Sequence, residues 1–221
     1  MLPPFSRKKE ISMKNSIKIP SILAILALLT ACGGGDHGLT NNDPGDNNVG
    51  VVAAFGDSIT AGSECACTPY PARLAGLIGK SVPNFGIGGS AAVNNVGRTK
   101  DVIDKVHPGF MIILYGVNDV IHAYGIGSII SALDQMVDIC KRNHVVPVLA
   151  TYPRPITGHA VFGPRTRALN DEIRSLASSK GVHCVDLYNE FDANPDLYEP
   201  DGLHPNDAGT QIMALAFADL F

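Results

Sequence analysis

Five short apolar runs, each followed by a longer mixed segment, constrain the fold of this chain more than any other feature of its sequence. The runs are rich in Val, Ile and Leu and do not alternate with polar residues, which is typical of strands buried on both faces. The runs cover residues 51–55, 82–85, 110–115, 145–150 and 182–187. The segments long enough for helices cover residues 71–79, 91–106, 128–143, 164–180 and 206–221. This alternation predicts an α/β fold with a parallel sheet covered by helices on both faces.

The composition excludes several classes of protein. Apolar residues make up 45% and charged residues 17% of the 221 residues, which allows one buried core and argues against global disorder. The first 31 residues hold five of the 17 Lys and Arg and one of the 21 Asp and Glu, so 12 basic and 20 acidic side chains remain, a net charge of −8. A nucleic-acid-binding domain normally presents a basic face, so we expect no nucleic-acid partner.

The N-terminal residues have the composition of a targeting signal. Five basic residues within the first 20 positions precede an apolar stretch at residues 21–30 and then Ala31 and Cys32. This order is typical of a secretory signal over residues 1–31. The ending Leu29-Thr30-Ala31-Cys32 resembles the lipobox of bacterial lipoproteins, in which the Cys is acylated and becomes the mature N-terminus. The alternative is a soluble secreted protein in which Cys32 has no special role.

No apolar run reaches 18 residues, so an ordinary membrane-spanning helix is not expected.

A polar segment separates Cys32 from the first apolar run. Residues 32–49 are rich in Gly, Asp and Asn and contain almost nothing that could be buried. We therefore expect a flexible tether that leads to a folded domain over residues 50–221. The lipobox resemblance implies a location in the bacterial cell envelope, with a lipid on Cys32 as the membrane anchor. Gly33 is not the Asp of an inner-membrane retention signal, which favours the outer membrane, facing the periplasm or the exterior.

Polar residues follow the first and third predicted strands, and parallel sheets collect their sites at such strand ends. The first strand leads into Gly56-Asp57-Ser58, where Ser58 either projects into a crevice or caps the next helix. The third strand leads into Gly116-Val117-Asn118-Asp119, where Asn118 either donates a hydrogen bond or makes a turn.

A glycine-rich turn follows the second strand, in the segment Asn84-Phe85-Gly86-Ile87-Gly88-Gly89-Ser90. The exposed N–H groups of such a turn can hold an anion. The spacing of Gly86, Gly88 and Ala91 also fits a loose dinucleotide-binding pattern. That pattern normally follows the first strand and needs an acidic residue at the end of a later strand, and neither condition is met.

Near the C-terminus, the segment Asp201-Gly202-Leu203-His204-Pro205 places a carboxylate and an imidazole three residues apart. In a tight loop the carboxylate can accept the imidazole N–H, which fixes the tautomer and leaves the other ring nitrogen as a base. This spacing is common by itself and becomes informative only together with the other segments.

Together and in chain order, these four segments resemble the blocks of the SGNH (GDSL) hydrolase superfamily. The resemblance implies a three-layer α/β/α fold with a flavodoxin-like, five-stranded parallel sheet. It makes Ser58 the nucleophile, His204 the general base and acid, and Asp201 the residue that orients His204. A Ser hydroxyl is a weak nucleophile at neutral pH and needs such a base, so the chemistry agrees with the resemblance.

The resemblance also implies an oxyanion hole, which stabilises the negative charge that acyl transfer places on the carbonyl oxygen. Its donors are the backbone N–H groups of Ser58 and Gly89 and the side chain of Asn118. Gly89 is chosen over the adjacent Gly88 because it lies five residues after Asn84, as in the block of the family.

The expected activity is that of a lipoprotein-type esterase that acts on a small lipid, aryl or acetylated-sugar ester through an acyl-enzyme. This set of residues needs no metal and no cofactor, and we expect a monomer. A thioesterase, a carbohydrate O-deacetylase with the same residues and a catalytically idle surface-binding module are the alternatives. The presence of all four blocks argues against the idle module.

Other polar residues near the blocks have weaker signals. Asp57 and Asp119 are expected to brace their turns rather than to transfer protons. His159 lies in the loop after the fourth strand, which either overhangs the site or forms plain surface. A bridge between Cys65 and Cys67 would span a single residue and be strained, which argues against a redox role. The remaining two cysteines, Cys140 and Cys184, fit small buried apolar positions.

Overall fold

The computed structural model describes residues 43–221, and a five-stranded parallel sheet lies at its centre. The strands are β1 (Asn48–Gly56), β2 (Asn84–Gly86), β3 (Pro108–Leu114), β4 (Val146–Ala150) and β5 (His183–Val185). Their order across the sheet is β2-β1-β3-β4-β5, and every neighbouring pair is parallel. The flavodoxin-like order that the family resemblance implies is therefore confirmed.

Helices of very different lengths connect the strands in the part of the chain that the structure describes. They are α1 (Ser58–Ala61), α2 (Tyr70–Ile78), α3 (Val96–Val106), α4 (Val117–Ile121), α5 (Ile126–Arg142), α6 (Gly163–Lys180), α7 (Leu187–Phe191) and α8 (Asp207–Ala218). Short 3₁₀ helices lie at Ala92–Asn94, Thr157–Phe162 and Pro195–Leu197. Within residues 43–221, no helix combines the length and the hydropathy that a membrane span requires.

Alternate side chains of the strands enter two separate apolar cores. Ala53 and Phe55 of β1 pack in a core shared with α3, α5 and α6, whereas Val52 and Ala54 pack in a core shared with α2, α7 and α8. All four side chains are completely buried. This arrangement explains why the strand sequences are apolar without alternation, and it confirms the three-layer α/β/α fold.

The folded domain begins earlier than the sequence predicts. Strand β1 starts at Asn48, inside the segment 32–49 that is predicted to be a tether. The backbone N–H of Asn48 donates to the carbonyl of His107, and the side-chain amide of Asn47 donates to two carbonyls just after α5. These bonds hold polar residues whose sequence is indistinguishable from that of a linker, and strand β1 begins two residues before the predicted boundary at residue 50.

The N-terminal predictions concern residues that the structure does not describe. The signal at residues 1–31, the lipidated Cys32 and the first part of the predicted tether all lie outside residues 43–221.

The topology places a crevice at the carboxyl end of β1. This strand lies between β2 and β3, so the chain leaves it in one direction through α2 and returns on its other side after α3. Helices α2 and α3 belong to opposite layers. In open α/β sheets, ligands bind where the strand order reverses in this way.

Candidate active site

Ser58 lies immediately beyond the carboxyl end of β1, as the first residue of α1. Asp57 caps this short helix, because its carboxylate accepts the backbone N–H of Ile59 at 3.0 Å. Gly62 ends the helix in the left-handed conformation, with φ of 75°. The capping role that the sequence left open for Ser58 therefore belongs to Asp57, and the hydroxyl of Ser58 is available for another partner.

That partner is His204. The distance between Oγ of Ser58 and Nε2 of His204 is 2.9 Å, and the distance between Nδ1 of His204 and Oδ2 of Asp201 is 2.6 Å. A carboxylate only accepts hydrogen bonds, so Nδ1 carries the proton and Nε2 is free to accept the proton of Ser58. The structure thus brings together the three predicted triad residues, from positions up to 146 residues apart.

Asp201 is held in its ionised form. Burial by itself raises the pKa of this carboxyl, but hydrogen bonds from the backbone N–H of Leu203 and from His204 outweigh burial and lower the pKa below its usual value. Oδ1 accepts the N–H groups of Leu203 at 2.9 Å and His204 at 3.1 Å, which leaves Oδ2 to the imidazole.

The segment that carries Asp201 and His204 is anchored by α8, which begins just after it. Asn206 is the N-cap of α8 and accepts the backbone N–H of Gly209 at 3.0 Å. Its side-chain amide also donates to the carbonyls of Asp196 and Tyr198. The segment that carries Asp201 and His204 therefore enters α8 through a residue whose side chain makes three hydrogen bonds.

The loop after β4 supports the same segment from the other side. The backbone N–H of Ile156 donates to the carbonyl of Gly202 at 2.8 Å, and Nδ1 of His159 donates to the carbonyl of Asp201 at 2.8 Å. His159 is thus a support of the loop, and it does not line the cavity in front of Ser58.

The side chain of Asn118 lies in the same cavity as Ser58, near the start of α4. Its Nδ2 atom donates to the carbonyl of Ser90 at 3.1 Å and to Oδ2 of Asp57 at 3.3 Å. The bond to Asp57 is long, and an oxyanion would have to replace one of these acceptors to bind the amide. By contrast, among residues 43–221 the backbone N–H groups of Ser58 and Gly89 have no acceptor.

The glycine-rich turn after β2 is fixed by two side chains. The amide of Asn84 donates to the carbonyl of Thr60 at 2.8 Å, which ties the turn to α1. The carboxylate of Asp119 accepts the N–H groups of Ala92 at 2.7 Å and Val93 at 3.1 Å, so it braces the segment after β2 rather than its own turn. The two glycines considered for the oxyanion hole, Gly88 and Gly89, both line the cavity.

Tyr152 is a site residue that sequence reasoning missed. It follows β4, is buried, and donates its hydroxyl to Oδ2 of Asp57 at 2.7 Å. Burial raises the pKa of Asp57 to about 6, while the hydrogen bonds from Tyr152 and from the backbone of Ile59 lower it. Asp57 therefore links Tyr152 to Asn118. The feature of the sequence that could have identified Tyr152 is a polar aromatic residue two positions after the end of a buried strand.

The mouth of the cavity contains two further residues that the sequence did not single out, Ser63 and Glu64. They precede Cys65 and Cys67, which form a disulfide across one residue, a pairing that the sequence left open. Cys140 and Cys184 are free thiols, the first buried and the second half-buried.

The described part of the chain contains no group of three or more His, Cys, Asp or Glu side chains that could hold a metal ion.

The sequence model of the GDSL-like Lipase/Acylhydrolase family matches residues 54–212, which include all the segments that converge on Ser58. The chain belongs to this family. It is therefore an ester hydrolase of the SGNH (GDSL) type. No protein of curated function matches it.

Solved structures of other proteins share the fold of this GDSL-family chain. A G-D-S-L family protein from Desulfitobacterium hafniense DCB-2 is 24% identical with a TM-score of 0.69, and the match covers 79% of this chain and 100% of that one. The acetylxylan esterase Axe2 from Geobacillus stearothermophilus is 22% identical, with a TM-score of 0.65 and coverage of 76% and 92%. The lipase/acylhydrolase from Enterococcus faecalis is 22% identical, with a TM-score of 0.66 and coverage of 77% and 94%.

Proposed function

We propose that this GDSL-family hydrolase is a serine esterase that cleaves a small ester through an acyl-enzyme on Ser58. The observation that carries the proposal is the unbroken hydrogen-bonded line from Ser58 through His204 to Asp201, at 2.9 Å and 2.6 Å, which opens into a cavity of about 230 Å³. All members of the line come from one chain, so we expect a monomer to be active.

In the first step, Nε2 of His204 takes the proton of Ser58 while Oγ bonds to the ester carbonyl carbon. The carbonyl π electrons move to the oxygen, which becomes an oxyanion. This oxygen accepts hydrogen bonds from the N–H groups of Ser58 and Gly89 and from the amide of Asn118. The amide of Asn118 gives up its bond to the carbonyl of Ser90 to make this contact. Donors fixed before the reaction contribute about 10²–10³ in rate each.

In the second step, the tetrahedral intermediate collapses. The bond between the carbonyl carbon and the alcohol oxygen breaks, and His204 returns its proton to the departing alkoxide. Water then attacks the acyl carbon on Ser58 while His204 takes a proton from the water. The bond between the acyl carbon and Oγ of Ser58 breaks, His204 returns the proton to Oγ, and the acid leaves. Asp201 stays ionised throughout, consistent with its lowered pKa, and stabilises the imidazolium in both steps.

The cavity supports a short acyl group. Its volume of about 230 Å³ is below the roughly 300–1,000 Å³ of pockets that enclose drug-sized ligands. Leu203 is the one large apolar side chain that lines it, and the other lining residues are polar or glycine. Relatives of this fold include both a lipase/acylhydrolase and an acetylxylan esterase. The polar lining favours the second candidate function, a carbohydrate O-deacetylase, over hydrolysis of long-chain lipids or thioesters.

Hydrolysis of p-nitrophenyl acetate by wild type and three variants tests the proposal. Ser58→Ala and His204→Ala should each lower kcat by about 10⁴ or more. Asp201→Asn should leave at least as much activity as His204→Ala, because Asp201 orients the imidazole and moves no proton. Circular dichroism checks that each variant is folded. A catalytically idle binding module would give no hydrolysis above background in wild type, and turnover that survives Ser58→Ala would exclude the acyl-enzyme.

We also propose that the enzyme is lipid-anchored through Cys32 in the outer membrane of a bacterial cell envelope. The support is the sequence alone: the signal at residues 1–31, its lipobox ending and Gly33 at the next position. The location fits a hydrolase that meets its ester outside the cytoplasm.

A further inference from the structure

Glu64 occupies an unusual position at the mouth of the cavity that contains Ser58. It is exposed, lines the same cavity as Asn118 and His204, and has a left-handed backbone with φ of 61°. Six other non-glycine residues of the described chain share this backbone region, so Glu64 is distinguished by its place in the cavity and not by its conformation. Within residues 43–221, its carboxylate makes no hydrogen bond or ion pair.

Glu64 is not part of the hydrogen-bonded line from Ser58 to Asp201. An ionised carboxylate can only accept hydrogen bonds, so Glu64 has no role in the hydrolysis of an ester that offers it no donor. It gains partners when the substrate itself brings hydrogen-bond donors to the mouth.

The two residues at the mouth are held on both sides. Before them, the N–H groups of Gly62 and Ser63 both donate to the carbonyl of Ser58, at 2.9 Å and 3.0 Å. After them, the disulfide between Cys65 and Cys67 closes the loop. A Cβ atom on Gly88 would lie 3.4 Å from Oγ of Ser63, so this hydroxyl faces the glycine-rich turn. The backbone that carries the two side chains is therefore held in place, which lowers the entropy lost when they bind a ligand.

We propose that Glu64, assisted by Ser63, is the subsite for the alcohol part of the substrate and selects a hydroxyl-rich alcohol, such as the sugar of an O-acetylated carbohydrate. The carboxylate accepts hydrogen bonds from sugar hydroxyls next to the acetylated one, and the Ser63 hydroxyl donates or accepts a further bond. This inference rests on the proposed esterase function and names the substrate class of that same site.

The test compares two acetates that differ in the alcohol. One is a methyl xyloside carrying a single acetyl group and free neighbouring hydroxyls, and the other is p-nitrophenyl acetate, whose alcohol has no hydroxyl to offer. The measured quantity is the ratio of kcat/KM for the sugar acetate to kcat/KM for p-nitrophenyl acetate. In Glu64→Ala this ratio should fall by about 10- to 100-fold, the effect of losing a hydrogen bond to a charged group.

Two further variants complete the experiment. Glu64→Gln keeps an acceptor without the charge and should give an intermediate ratio. Glu190→Ala, which removes an exposed carboxylate on α7, should leave the ratio unchanged. A ratio that stays within twofold of wild type in Glu64→Ala overturns the proposal. That outcome is distinct from failure of the esterase function, which would appear as p-nitrophenyl acetate turnover that does not depend on Ser58.

Discussion

The side-chain amide of Asn118 already makes two hydrogen bonds, to Ser90 and Asp57, before any substrate is bound. If it also donates to the oxyanion, Asn118→Ala should lower kcat by about 10²–10³ while KM changes little, because the donor acts mainly in the transition state. If it only shapes the turn, the same substitution should cost about 1 kcal/mol of stability and leave kcat of the folded enzyme unchanged.

Steady-state kinetics and urea unfolding of the same samples distinguish these outcomes. Asn143→Ala is the matched control, since its amide bonds to the carbonyl of Ile139 at the far end of α5. It should alter stability alone. A normal kcat in folded Asn118→Ala would remove Asn118 from the oxyanion hole and weaken the assignment of Gly89 with it.

We expect Asp57 to make the site sensitive to acid, and Tyr152 to limit that sensitivity. The pKa of Asp57 is about 6, raised by burial and lowered in part by the Tyr152 hydroxyl. Tyr152→Phe removes that donor, so the pKa of Asp57 should rise and the carboxyl should be neutral over a wider acidic range. A neutral Asp57 holds the amide of Asn118 less firmly, so kcat/KM should decline at a higher pH than in wild type.

Tyr152→Phe should also change how the stability of the fold depends on pH. Because the folded-state pKa of Asp57 lies above the ordinary value, its contribution to stability is fully present below about pH 4 and is lost as the pH rises through 6. Tyr152→Phe should enlarge this loss, so urea unfolding should show a greater destabilisation at pH 8 than at pH 4.5. Tyr198→Phe, whose hydroxyl bonds to the carbonyl of Arg154, is the control. Identical normalised pH profiles for wild type and Tyr152→Phe would contradict this role of Tyr152.

At the scale of single residues, the sequence predicts those parts of the site that lie in short local patterns. Ser58, Asn118 and the Asp201–His204 pair each stand in a segment with its own signal at a strand end or in a tight loop. Tyr152 and Glu64 have no such segment. Their roles depend on which strand end and which loop face Ser58, and this is decided by tertiary packing.

At the scale of elements, Gly202 shows how two loops must fit together for the triad to form. Its φ is 70°, and a Cβ atom would lie 2.0 Å from Oγ1 of Thr157 and 2.2 Å from the carbonyl oxygen of Ile156. Gly202→Ala should therefore push the loop that carries Asp201 and His204 away from its support. We expect a loss of about 1–3 kcal/mol from the backbone alone and a fall in kcat of about 10², the effect of a displacement near 1 Å.

Gly79→Ala is the matched control for this prediction. Gly79 has a similar left-handed backbone, with φ of 65°, but a Cβ there meets no atom within 4 Å. It should lower stability without changing kcat, as measured by thermal unfolding and p-nitrophenyl acetate kinetics. If Gly202→Ala behaves like Gly79→Ala in both measurements, the packing of the two loops does not position the triad.

The long elements are predictable and the short ones are not. Helices α5 and α6 have 17 and 18 residues and span several turns, so their extent is close to the predicted segments. Helices α1, α4 and α7 have four or five residues. Such helices are too short to be stable alone or to show a period. Aspartate caps hold α1 and α7, whereas α4 has no side-chain cap and depends on its neighbours. Two of the three carry site residues.

At the scale of the whole molecule, the alternation of apolar runs and helical segments was enough to predict a parallel sheet between two helical layers. The order β2-β1-β3-β4-β5 did not follow from that pattern. It came from the family resemblance, since periodicity shows how many faces of a strand are buried and not which strands are neighbours.

The last prediction concerns where the whole molecule resides. The apolar stretch at residues 21–30 is too short to span a bilayer of roughly 30 Å. Attachment through Cys32 would come from lipid, and one acyl chain binds only reversibly, whereas two or more hold a protein firmly. If Cys32 is acylated, cells expressing the full chain should incorporate a clickable palmitate analogue into the protein, and the protein should fractionate with membranes.

Cys32→Ser should abolish both the labelling and the membrane fractionation. Cys184→Ser, which removes a free thiol inside the domain, should leave both unchanged. Wild-type protein that is unlabelled and confined to the soluble periplasmic fraction would show that the lipobox resemblance is accidental.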